Sequence, residues 1–167
     1  MAASKPWVLI IMGSDSDAEV MSQAAAALDE AGVPYDFTVA SAHRSPDRTK
    51  EIVTSAEANG AVAFIAGAGM AAHLPGVVAS LTTRPVIGVP LASGALQGLD
   101  ALYAIVQMPP GIPVATVAIG GARNAGILAA QIVATSDAEL AAKLREQRRA
   151  MGEQVAVKSK KVEKSTR

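Results

Sequence analysis

No cysteine occurs anywhere in the 167 residues, which excludes disulfides, thiolate metal sites and cysteine nucleophiles. Charge bias is missing too: 15 Lys and Arg balance 15 Asp and Glu, and the basic residues are not clustered in the body of the chain. A nucleic-acid footprint is therefore absent from the folded part, and an acidic partner is not implied. No apolar run approaches the roughly 20 residues that span a bilayer, because Gly, Pro or charge interrupts each one, which argues against a membrane role. The amino terminus, Met1-Ala2-Ala3-Ser4-Lys5-Pro6, lacks a signal-type apolar region and leads straight into a strand pattern, so a cytoplasmic location is expected. Histidine occurs only at His43 and His73. What remains for chemistry is histidine and carboxylate, in a chain that is 50% apolar and about one domain long.

Strand-type and helix-type patterns alternate along that chain. Strands are expected near 7–12, 35–41, 61–66, 85–89 and 113–119, and helices near 16–31, 46–59, 74–82, 97–107 and 122–134. Gly32 with Pro34 closes the first helix and Gly60 the second, each by supplying a left-handed C-terminal position. Repeated βαβ units with right-handed crossovers predict a three-layer αβα sandwich around a doubly wound, flavodoxin-like parallel sheet of order 2-1-3-4-5. After Thr135-Ser136-Asp137 a further amphipathic helix runs from Ala138 to Arg149 with no strand to follow it. Such a helix either docks on its own sheet or reaches a neighbouring subunit. We read residues 1–157 as one α/β domain that includes it, and 158–167 as a basic, disordered tail.

In that strand order the loops after strands 1, 2 and 3 lie side by side at the switch point, where ligands bind in such sheets. The first, Gly13-Ser14-Asp15-Ser16-Asp17, reads foremost as a helix cap. The second, Ser41-Ala42-His43-Arg44-Ser45-Pro46, sets a histidine beside an arginine and two hydroxyls, groups able to move a proton and hold a phosphate. The third, Gly67-Ala68-Gly69-Met70-Ala71-Ala72-His73-Leu74-Pro75-Gly76, has glycines that let backbone amides approach a ligand. Its His73 is read equally well as a hydrogen-bonded core histidine. Ser14, Asp17, His43, Arg44 and Gly69 are thus expected to share one crevice. A Rossmann dinucleotide fingerprint does not fit, since the first loop has a single glycine and no acidic residue ends the second strand. A receiver-type module would need an acidic residue where the third strand ends in Ala66 and Gly67. The run from Asp100 to Pro109 is apolar at helical spacing and reads as core or subunit interface.

Taken with Met12, these three loops resemble the PurE family of purine biosynthesis. The resemblance continues through Pro85-Val86-Ile87-Gly88-Val89-Pro90, Leu99 to Pro113 and Asn124 to Ala130, covering about residues 7–150. The motif spelling is similar to the class I members, the N5-carboxyaminoimidazole ribonucleotide mutases. Ala18 stands where that family often has tryptophan, Met70 where glycine is usual, and the Gly120-Gly121-Ala122-Arg123 turn is shorter than in some members. These departures bear on local loop shape and leave every polar candidate in place.

The resemblance implies a ribonucleotide substrate whose carboxylate moves from the exocyclic amine to the neighbouring ring carbon, with neither metal nor other cofactor. It assigns His43 as acid and then base. Ser14, Asp17 and Arg44 would bind the nucleotide, with Arg44 on the phosphate and Asp17 on the ribose hydroxyls. Ser41, Gly69, His73 and Leu74 would line the base and carboxylate end. The resemblance further implies a homo-octamer and an ATP-dependent synthetase that makes the substrate. The alternatives are a class II carboxylase using free carbon dioxide on the same fold and a non-catalytic nucleotide-binding module. A related pyridine-dinucleotide carboxylase that depends on cysteine is ruled out by composition.

Overall fold

A computed structural model describes residues 5–164. The first strand, β1 (Trp7–Met12), lies between β2 (Tyr35–Val39) and β3 (Ala61–Gly69), followed by β4 (Val86–Leu91) and β5 (Ala115–Thr116). All pairings are parallel, and the order is the expected 2-1-3-4-5. Central strands covered on both faces need no polar alternation. In β1, Val8, Ile10 and Met12 turn to one apolar layer, while Leu9 and Ile11 turn to the other. The first layer is closed by α1 (Ala18–Ala31) and α5 (Ala122–Ala134), through Met21, Leu28, Ala125 and Ala129. The second is closed by α2 (Pro46–Ala58), α3 (Leu74–Leu81) and α4 (Leu99–Val106), through Val53, Val78, Ala101 and Ile105. Gly32 and Gly60 hold the left-handed positions expected of them, at φ 80° and 93°.

Several boundaries differ from the sequence pattern. The segment at 15–17 is a separate 3-10 turn, and α1 starts only at Ala18. The third strand continues through Gly67-Ala68-Gly69, where Gly67 pairs with Val89 and Gly69 with Leu91, so these glycines belong to the sheet rather than to a loop. Any Cβ at Gly67 would strike the Met21 side chain of α1, which occupies that space. At the sheet edge β5 is only two residues long. Beyond it the chain keeps contact through single bonds, Val117 N–H to the Gly88 carbonyl at 3.1 Å and Gly120 N–H to the Pro90 carbonyl at 2.9 Å.

The last helix, α6 (Ala138–Val162), is much longer than the amphipathic pattern and takes in the first residues assigned to the tail. Along its outer half Arg149 pairs with Glu146 and Glu153, and Lys160 and Lys161 sit in the last turn, where the helix dipole favours cations. Its inner half packs chiefly on α5 and α1. There Lys143 Nζ donates to the Ala31 carbonyl at 3.1 Å and Gln147 Nε2 to the Glu30 carbonyl at 3.4 Å, which satisfies carbonyls at the end of α1.

Candidate active site

A cleft of about 470 Å³ opens at the carboxyl ends of the central strands, and all eight residues singled out in the sequence line it: Ser14, Asp17, Ser41, His43, Arg44, Gly69, His73 and Leu74. A larger depression at the opposite edge of β4 and β5 carries little convergent chemistry beyond Glu57 and Arg84, 3.8 Å apart. The cleft is singled out by its chemistry, not by its size.

Its first wall is the turn after β1. Ser14 both caps that turn and faces the cleft: the Ser16 N–H donates to Ser14 Oγ at 3.4 Å, and the Ser14 N–H donates to Asp17 Oδ2 at 3.1 Å, closing a capping box. Asp17 is half-buried, and that burial raises its carboxyl above the ordinary value. The nearby Asp15 charge pushes the same way, while the Ser14 amide opposes both.

The second wall is a self-bonded turn after β2. Ser45 Oγ accepts from the Ser41 N–H and donates to the Ser41 carbonyl, both at 3.1 Å. Ser41 Oγ accepts from the Arg44 backbone at 3.2 Å and from Arg44 Nε at 3.5 Å, while Arg44 Nη2 reaches the Gly13 carbonyl at 3.4 Å. The guanidinium is therefore held across the mouth between the first two loops, where it can receive an anion.

The third wall runs from the end of β3 to the start of α3. Met70 and Ala72 adopt left-handed backbone, at φ 54° and 44°, a conformation that costs an ordinary residue about 1–2 kcal/mol. This gives the glycine usual at position 70 in the resembling family a physical reason. The bend ends at His73, whose carbonyl accepts the Val77 N–H of α3 at 3.0 Å. The reading of His73 as a core histidine does not hold, since the residue is exposed and its Nδ1 lies 2.6 Å from His43 Nε2. The two rings meet edge to face, with centroids 4.7 Å apart and planes at 76°.

Ser93, Ser16 and Met70 also line the cleft without having been named as candidates. Ser93 follows β4 as the other loops follow β1 to β3, and its Cβ would lie 3.1 Å from one placed on Gly69. The strand-end rule that found the first three loops could have found it. Among the described residues no group of three or more His, Asp or Glu side chains is placed to hold a metal ion. The arrangement offers a paired imidazole to move protons, a cation at the rim and a carboxylate that can accept hydrogen bonds.

A family model described as AIR carboxylase matches residues 7–154. The chain is 55% identical over 163 residues to the N5-carboxyaminoimidazole ribonucleotide mutase of Pyrococcus horikoshii, covering 98% of this chain and 92% of that protein. It is 55% identical over 158 residues to the protein of the same name in Thermotoga maritima, covering 95% and 92%. A crystal structure of Treponema denticola PurE superposes with a TM-score of 0.87 at 28% identity, covering 95% of this chain and 99% of that one.

Proposed function

The chain belongs to the AIR carboxylase family, and from that premise we propose that it converts N5-carboxyaminoimidazole ribonucleotide to 4-carboxy-5-aminoimidazole ribonucleotide in purine biosynthesis. The mutase reading is preferred to a carboxylase acting on free carbon dioxide because the chain matches proteins named as mutases over 92% of their length, whereas it covers only 28–29% of the relatives named phosphoribosylaminoimidazole carboxylase.

The reaction needs few groups. A proton goes to the exocyclic nitrogen, the bond from that nitrogen to the carboxylate carbon breaks, and carbon dioxide is released inside the cleft. The electron-rich ring carbon then attacks it, and the tetrahedral carbon gives up its proton to restore aromaticity. One imidazole serves as acid and then as base, since this group exchanges protons near neutrality, and we assign that role to His43. Arg44 takes the phosphate by charge-assisted hydrogen bonds, with Ser14 beside it, and Asp17 accepts from the ribose hydroxyls. Ser41, Gly69, His73 and Leu74 surround the base and the carboxylate. A bound intermediate held still against the Gly69–His73 wall keeps carbon dioxide from escaping between the steps.

The single observation that carries this reading is the convergence of His43, Arg44 and Asp17 on one cleft. The test is the variant His43→Asn, which keeps polarity and approximate size but cannot exchange a proton at neutral pH. Its turnover should fall by at least about 10²–10⁴-fold with ligand binding retained. Near-native turnover would remove His43 from the mechanism.

The same reading extends to the assembly and its setting: a cytoplasmic homo-octamer, supplied by an ATP-dependent synthetase that carboxylates the amine. The exposed stripe Leu99, Tyr103 and Val106 on α4 supports an apolar contact between copies.

A further inference from the structure

The contact between the two histidines says more than that both line the cleft. They come from different loops, 30 residues apart, and each loop is anchored by its own backbone. The His43 turn is closed by the Ser45 N–H on the Ser41 carbonyl at 2.9 Å, and the His73 bend by the Ala72 N–H on the Gly69 carbonyl at 3.1 Å. The 2.6 Å approach is thus made between two supported points.

At that distance two imidazole nitrogens attract only if one proton lies between them; two lone pairs or two N–H groups would repel. Among the described residues, His43 Nδ1 and His73 Nε2 have no protein partner, so each ring keeps one nitrogen free. We infer that His73 is a positioning and proton-relay partner of His43, and that the proton shared by His43 Nε2 and His73 Nδ1 decides whether His43 Nδ1 is acid or base. This rests on the assignment of His43 to both proton transfers.

The proton count closes. In the acid form the pair holds three ring protons and one positive charge: one on His43 Nδ1, one in the bridge and one on His73 Nε2. As His43 Nδ1 gives its proton to the departing nitrogen, the bridging proton moves onto His43 Nε2. Both rings are then neutral, and His43 Nδ1 presents a lone pair. When that lone pair takes the proton from the ring carbon, the bridging proton returns towards His73 and the pair regains its charge. Neither ring has to become an anion, and no proton has to come from solvent between the steps. The other ionisable groups facing the pair across the cleft are Asp17 and Arg44.

The experiment uses the full chain and its His73→Asn variant, in which an amide can hold a hydrogen bond but cannot relay a proton. Nitrogen NMR of the ligand-free wild type should show His43 in one tautomer, with the nitrogens of both rings responding together as pH changes. In His73→Asn the His43 ring should become a tautomer mixture, and kcat should fall by about 10–100-fold, as when an orienting partner is lost, a larger change than any rise in KM. Rings that respond independently in the wild type, or a variant with raised KM and intact kcat, would overturn the relay and leave His73 as a substrate contact. Absence of mutase turnover in the wild type would overturn the functional reading alone, because the nitrogen signals decide the pair without substrate.

Discussion

At Asp17 burial keeps the carboxyl protonated to a higher pH than in the unfolded chain. Its contribution to stability is therefore present in acid and lost as pH rises through the folded-state value, so at neutral pH its charge is a cost. Asp17→Asn keeps an acceptor for the Ser14 amide and removes that cost. The variant should melt at a higher temperature than wild type at pH 7, with the difference shrinking in acid, while its affinity for the ribonucleotide falls. A lower melting temperature at pH 7 would contradict this account of the site. Most of the site was legible at this scale because the chemistry-bearing types are rare and sit where strands end: His43 with Arg44, Ser14 with Asp17, and His73 after a glycine run. The imidazole pair was not legible, since a separation of 30 residues carries no periodic signal and His73 fitted a core position equally well. Met70 could be marked only as unusual; its left-handed backbone supplies the reason.

Between elements, one close constraint against backbone lies where α1 meets α5. A Cβ at Gly126 would come within 2.5 Å of the Ala24 carbonyl oxygen and 2.9 Å of the Ala27 Cβ, so the helices approach backbone to side chain across small residues. Gly126→Ala raises helix propensity by about 1 kcal/mol, yet it must separate two packed helices, and overpacking of this kind costs about 1–3 kcal/mol. The clash should win, and chemical denaturation should show a net loss of stability; a gain would mean that the contact is looser than the structure has it. Strand and helix identities could be read from the sequence because β1, β3 and β4 are apolar runs between helical patterns. Their ends were less legible. Gly67 to Gly69 looks like a loop until Met21 is seen filling the space above Gly67, and the short β5 reflects an edge position that no local pattern encodes. The length of α6 was missed for a different reason: beyond Arg149 the sequence brings in Gly152 and three valines, and the features that favour a helix there are the Arg149–Glu153 pair and the lysines of the last turn.

For the whole molecule, a single copy leaves Leu96, Leu99, Tyr103 and Val106 exposed around α4, and Met151, Val155 and Val162 on α6. Apolar side chains grouped in this way are most simply covered by identical subunits. Light scattering after gel filtration should give a mass several times 16.9 kDa, reduced by truncation before Ser136; a monomer at micromolar concentration would contradict the assembly. The central claim, transfer of a carboxylate through trapped carbon dioxide, is tested most directly by incubating the purified chain with N5-carboxyaminoimidazole ribonucleotide, without ATP, in isotopically labelled carbon dioxide. The account predicts 4-carboxy-5-aminoimidazole ribonucleotide that keeps the unlabelled carbon of the substrate. Product carrying the label of the solution, or formed only from the decarboxylated nucleotide and free carbon dioxide, would contradict it.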